Sequence, residues 1–314
     1  MKIKKRYAYT GVVLVLILAA LLFYLNTQKE KPKDAKQNLE NQEVAWVVDK
    51  DGYLDYPLER GAVPFNRADY DETESLLIFK IIYESRNGNI YGLMVMPKFA
   101  EEALPAVVLL PGAGVSKESE LRLAKEIANL GAVVLTIDQR GVGETDGKFP
   151  SLDEDYQNFL NGKEPYQHLL VYDALRAYDL LNEAPFVDSE RIIIAGESFG
   201  GRIAVIAAAI DRNVEGALVI SSSGFDFKDK GDAGKDVFLK SIDSDHYIGL
   251  LTPRKLVVMH SLNDGIIPLG DAVKSFFKAQ EPKKIFLVND TGCNHGYCDS
   301  MYNGLVEGLK FVMG

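Results

Sequence analysis

From about residue 76 onward the chain alternates short apolar runs with longer stretches of helical period. The runs at 106–110, 132–138, 191–196, 215–221, 255–261 and 284–289 are dominated by aliphatic residues, and short apolar runs bounded by turn signals predict buried strands. Helical patterns separate them at about 117–130, 165–183, 199–210, 269–280 and 299–312. Upstream, 76–84 and 90–96 are two strand patterns joined by Ser85-Arg86-Asn87-Gly88, whose Asn-Gly pair suits a hairpin. Strands joined through helices must cross over and pair in parallel. The pattern therefore predicts an α/β fold, a mostly parallel eight-stranded sheet with helices on both faces and the hairpin at one edge.

The first 74 residues are patterned differently. Residues 1–6 are basic, 7–25 carry no charge and are rich in Leu, Val and Ile, and 26–43 are dominated by Lys, Glu, Gln, Asn and Asp. At about 1.5 Å per residue the apolar run just crosses a hydrocarbon core of about 30 Å. A cleaved signal peptide would have a shorter apolar core ending in a small-residue site, whereas Ala19-Ala20 falls inside the run. The expectation is an uncleaved transmembrane signal anchor at 7–25. It is followed by a flexible tether at 26–43, which buries too little apolar surface to order, and by a wrapping segment at 44–74 with the single tryptophan, Trp46. Four Lys/Arg precede the span, which favours a single-pass protein with its folded domain extracytoplasmic. Residues 1–40 hold eight basic and three acidic side chains, leaving 27 basic against 42 acidic, a charge of −15, for the rest. A domain that acidic repels nucleic acid and anionic headgroups, so the expected membrane contact is the N-terminal helix alone.

Gly196-Glu197-Ser198-Phe199-Gly200-Gly201 lies directly after the apolar run Arg191–Ala195 and directly before the small-residue run Ile203–Ile210. Strand, sharp turn and helix are the setting of a nucleophile elbow, in which flanking glycines let the backbone bend and hold the serine exposed and strained. An alcohol needs a base, and the base an orienting acid. Of the four histidines, His295 lies in a glycine-flanked loop between the last strand pattern and the closing helix. His168 falls in a helix, His246 in an acidic stretch and His260 near a strand end, positions that read as structural. Asp264 follows the strand at 255–261 in an Asp-Gly pair. Such a pair is on its own an ordinary turn, but its place between Ser198 and His295 completes the order Ser, Asp, His expected of α/β-hydrolases.

On these motifs the chain resembles an α/β-hydrolase over about residues 75–314. Ala106–Gly114 resembles the oxyanion loop of that family, with Pro111 where a histidine is common. The resemblance implies oxyanion donors in the backbone N–H groups of Ala113 and Phe199, each typically worth about 2.7–4 kcal/mol. Val133–Glu144 is similar to the family's D-x-R-G-x-G turn and reads as scaffold. The hairpin leading through Met96-Pro97 into the oxyanion strand looks most like the dienelactone hydrolase and prolyl-oligopeptidase-like group. The implied chemistry is an acyl-enzyme on Ser198, with His295 as base and Asp264 as its orienting acid, and with no metal or organic cofactor. A carboxylic ester or thioester is the expected substrate. A serine peptidase acting on short peptides is the alternative, and a non-catalytic membrane-tethered binding protein a third reading.

Gly224–Leu251, about 28 residues between two strand patterns, predicts a small cap and an open pocket, with 144–163 as a second rim. Cys293 and Cys298 bracket His295. They read either as a short disulfide, if the domain lies outside the reducing cytosol, or as two free thiols. With one histidine they lack the four ligands of a structural metal site.

Overall fold

The apolar runs form the interior of one sheet. The computed structural model describes residues 46–314. Its strands in chain order are β1 (Val47–Val48), β2 (Leu54–Asp55), β3 (Phe65–Glu72), β4 (Leu76–Ser85), β5 (Gly88–Pro97), β6 (Leu104–Leu110), β7 (Val133–Ile137), β8 (Val187–Glu197), β9 (Gly216–Ile220), β10 (Lys255–Ser261) and β11 (Lys283–Val288). β1 and β2 make a separate ribbon, and the other nine form a sheet in the order β11-β10-β9-β8-β6-β7-β5-β4-β3. All pairings among β6 to β11 are parallel, while β3, β4 and β5 join antiparallel.

Both faces of the parallel part are covered. On one face Val107, Leu109, Ile193 and Ala195 pack with Leu123 and Ile127 of the helix Leu121–Asn129 and with Leu305 of the helix Tyr302–Met313. Their strand neighbours Val108, Ile192 and Ile194 are equally buried and point to the other face because successive side chains alternate. There the helices Tyr166–Asn182 and Phe199–Ile210 pack on β8. Double covering explains why these strands read as unbroken apolar runs. Each fully buried aliphatic side chain contributes roughly 1.5–3 kcal/mol.

The sheet has nine strands rather than the expected eight, and the hairpin β4–β5 is not the edge. Phe65–Glu72 pairs outside it, with every residue exposed. A strand with no buried face carries no apolar alternation, so its pattern gives no strand signal, and its charges suit an edge that must not recruit a further strand. Both rim segments contain helices. Leu152–Leu160 is opened by a capping box between Ser151 and Glu154, and Ala233–Ser241 by the side chain of Asp232. These two helices meet through Tyr156, Phe159 and Phe238, so the rims join as one small cap. The basic start at 1–6, the apolar run at 7–25 and the tether at 26–43 lie outside the described residues. Among the described residues no helix is long and apolar enough to cross a membrane.

Candidate active site

Because β6, β8, β10 and β11 run parallel, their C-terminal ends open on one edge of the sheet, where ligand sites of open α/β sheets form. β8 leads into Ser198, β10 into the turn with Asp264, β11 into the loop with His295, and β6 into Pro111–Gly114. The strand order sets the β6 loop on one side of the β8 loop and those of β10 and β11 on the other.

Ser198 has φ +51° and ψ −115°, a region that costs a non-glycine residue about 1–3 kcal/mol. Hydrogen bonds hold it there. Its N–H donates to the Ile220 carbonyl at 2.8 Å, and its carbonyl accepts from the Ser222 hydroxyl at 2.6 Å. A Cβ at Gly196 would lie 2.4 Å from the Gly200 backbone, and one at Gly200 only 2.2 Å from the Leu110 carbonyl oxygen. Both glycines of the elbow are therefore demanded by the approach of strand and helix.

His295 Nδ1 lies 2.9 and 3.0 Å from the two carboxylate oxygens of Asp264. The Asp264 side chain is fully buried, and Oδ1 also accepts from the N–H groups of Ile266 at 2.9 Å and Ile267 at 2.8 Å. Burial works against its charge, but the Ile267 and Ile266 amides and the His295 ring outweigh it and hold the carboxyl below its ordinary range. Engagement of Nδ1 by the carboxylate selects the tautomer whose Nε2 can take a proton. Ser198, His295, Gly112 and Ala113 line one cavity of about 540 Å³ that opens to solvent. The ring hydrogen bonds of His295 among the described residues are those to Asp264. No hydrogen bond joins Ser198 to the His295 ring among the described residues; catalytic hydrogen bonds of this kind commonly form only when substrate binds.

The loop Pro111–Gly114 abuts Ser198, since a Cβ at Gly112 would stand 3.6 Å from that of Ser198. Phe199 is the first residue of its helix, so its N–H has no acceptor within the helix. Gln139 braces this loop. Its Nε2 donates to the carbonyls of Pro111 at 2.8 Å and Gly112 at 3.0 Å, and its Oε1 accepts from the Gly114 N–H at 3.3 Å. A side-chain amide thereby supplies the support that proline at 111 cannot. Gln139 was not singled out by the sequence motifs, because it lies between the two residues of the turn that carry its signature. Those two are scaffold, as expected: Asp138 accepts from Lys117 Nζ at 2.8 Å, and Arg140 holds Asp173 through two bonds of 2.7 and 2.6 Å.

Of the remaining histidines, His168 and His246 sit elsewhere, whereas His260 adjoins Asp264, its Nε2 3.9 Å from Oδ2. His168 Nε2 lies 2.7 Å from the Ser241 hydroxyl, and burial pushes its pKa down to about 3. His246 stacks on Tyr53 at 3.9 Å, and His260 Nε2 contacts the Ile267 carbonyl at 3.0 Å. Cys293 and Cys298 form a disulfide, which decides between the two readings of that pair and closes the loop bearing His295. The Gly265 N–H donates to the Asn294 carbonyl at 3.0 Å, tying the turn of Asp264 to the loop of His295.

A profile of the acetyl xylan esterase (AXE1) family matches residues 58–228. Among curated proteins the chain is similar to the acetyl esterase Axe7A of Xylanibacter ruminicola, 27% identical over 193 residues, which are 58% of this chain and 43% of that one. It is also similar to the polyketide transferase grgF of a Penicillium species, 29% identical over 123 residues, 39% of this chain and 38% of that one. The matches thus span less than half the length of these two relatives. Among solved structures it resembles the acetyl xylan esterase from Paenibacillus sp. R4, with a TM-score of 0.66 over 80% of this chain and 88% of that one at 20% identity, a likeness of fold. The profile runs over more than half of the chain and takes in the oxyanion loop, the bracing turn and the elbow, and on that extent the chain belongs to the acetyl xylan esterase (AXE1) family.

Proposed function

We propose that this protein is a serine hydrolase that cleaves small carboxylic esters, acetyl esters foremost, through an acyl-enzyme on Ser198. The observation that carries this reading is that His295, held by the buried Asp264 carboxylate, lines the same cavity as a serine held in a strained elbow. His295 removes the Ser198 proton as the oxygen attacks the ester carbonyl, and Asp264 steadies the resulting imidazolium. The Ala113 and Phe199 N–H groups receive the oxyanion. His295 then protonates the departing alcohol, and water, activated by the same base, releases the acid. The acetyl esterase names among the relatives favour ester over peptide.

The location rests on the sequence pattern, in which 7–25 anchors the chain and the domain lies outside the cytoplasm. The Cys293–Cys298 disulfide supports an oxidising compartment. Nitrophenyl esters of rising acyl length assayed beside aminoacyl and dipeptidyl nitroanilides test the reaction. The acetyl ester is expected to turn over best, with rates falling as the chain lengthens. Faster turnover of the amides would replace this reading with a peptidase.

A further inference from the structure

Two carboxyls with no part in the reaction as drawn line the cavity beside Ser198 and His295: Glu120 and Glu197. Glu120 is 4% exposed. It occupies the capping position of the helix Leu121–Asn129, yet its side chain makes no capping hydrogen bond. Glu197 is the residue before the nucleophile. Its Oε1 accepts from the N–H of Tyr297 at 3.2 Å, two residues beyond the base. Its Oε2 lies 2.6 Å from where a Cβ on Gly296 would stand, so the glycine after His295 leaves the space that this carboxyl fills. Glu197 therefore joins the elbow to the loop that carries the base.

We propose that Glu120 and Glu197, which line one cavity with His295, act together as positioning residues, with Glu197 the anion that supports charged His295 and Glu120 its neutral neighbour. The proposal rests on the hydrolase reading above. Two carboxylates in one partly dry cavity cannot both be charged without a large penalty. Burial and the charge of Glu197 push Glu120 up to about 9. Burial raises Glu197 as well, opposed by the Tyr297 N–H, His295 and Arg122. Glu120 thus holds its proton across the neutral range, which leaves Glu197, bonded to the Tyr297 N–H, as the carboxyl of the two that carries the negative charge in the proposal. The other charged or titratable groups around it are already committed. Arg122 bridges Asp299 and Glu126, the Tyr297 hydroxyl donates to Glu126, and Asp264 lies behind His295. When His295 accepts the Ser198 proton, its new charge meets an anion that has already lost its water. If Glu120 also ionises, the developing oxyanion becomes a third negative charge in the same cavity, and the reaction slows.

The test is the pH dependence of kcat/KM for a nitrophenyl acetate in the full-length protein and its variants, with an infrared spectrum of the carboxylic C=O region. Glu197→Gln keeps an oxygen for the Tyr297 N–H and removes only the charge. It is expected to lower kcat about 10-fold and to move the acid limb down by about half to one pH unit. Glu120→Gln is expected to leave the acid limb in place and to abolish a fall in activity near pH 9. The unsubstituted protein should show a protonated-acid band at pH 7 that Glu120→Gln removes. Unchanged limbs in both variants, or no such band in the unsubstituted protein, would overturn the pair. Absence of the band decides against the pair even if a variant fails to fold. A folded unsubstituted protein without ester turnover would overturn the hydrolase reading instead, leaving the band to report on the pair.

Discussion

Ser198 keeps a positive φ only because its neighbours leave it no alternative: hydrogen bonds from its N–H to the Ile220 carbonyl and from the Ser222 hydroxyl to its carbonyl fix the turn, and Gly196 and Gly200 allow strand and helix to touch. The same over-determination surrounds its partners. Asp264 accepts from two backbone amides and from His295 at once, a set that only a carboxylate satisfies. In Asp264→Asn the amide must present a donor to the ring or to a backbone N–H, which disfavours the productive tautomer. Its kcat should fall by about 10³–10⁴ with little change in KM, measured by steady-state turnover of a nitrophenyl acetate. Gln139 acts one step further out, on the oxyanion loop. Gln139→Ala is expected to lower kcat about 10- to 100-fold at nearly constant KM, because the loop matters chiefly once charge has developed on the substrate oxygen. A raised KM with kcat intact would show instead that the loop binds the ground state.

At the level of elements, what could be read from the sequence divides along physical lines. The interior strands, the elbow and the loops of Asp264 and His295 were legible because burial on both faces writes long apolar runs and because the turn chemistry is local. The edge strand Phe65–Glu72 was not, since its stability comes from pairing with β4 and leaves no mark on its exposed side chains. The helix Leu152–Leu160 did carry a signal, with Ser151 and Glu154 in capping-box spacing ahead of Leu152, Tyr156, Phe159 and Leu160. The reading of 144–163 as a rim left that helix out. The roles of Gln139, Glu120 and Glu197 depend on loops meeting across the sheet edge, which no local pattern records. The disulfide is likewise a matter of proximity. Closing so short a loop contributes about 2 kcal/mol in the chain-entropy picture. Reduction, or the Cys293→Ser/Cys298→Ser pair, should therefore lower Tm by about 4–8 °C by calorimetry. Activity should fall with it as the base's loop loosens, and a Tm unchanged by reductant would count against that contribution.

For the molecule as a whole, the cavity carboxyls couple catalysis to stability. Glu120 is raised from an ordinary 4.5 to about 9 in the folded protein, so between those values the folded state binds more protons than the unfolded one. Stability from this group therefore falls as pH rises through that window, the reverse of Asp264, whose lowered value favours folding above the ordinary carboxyl range. Glu120→Gln removes the dependence, and its Tm should gain on that of the unsubstituted protein between pH 5 and pH 8.5. A gap that stays constant with pH would remove Glu120 from this role. The proposed reaction places all of its chemistry on one hydroxyl, that of Ser198. Labelling with a fluorophosphonate, read by mass analysis of the intact protein and its peptides, tests that hydroxyl most directly. One equivalent on Ser198, abolished in Ser198→Ala and sharply slowed in Asp264→Asn, is the predicted result; folded protein that stays unlabelled, or is labelled at another serine, would contradict it.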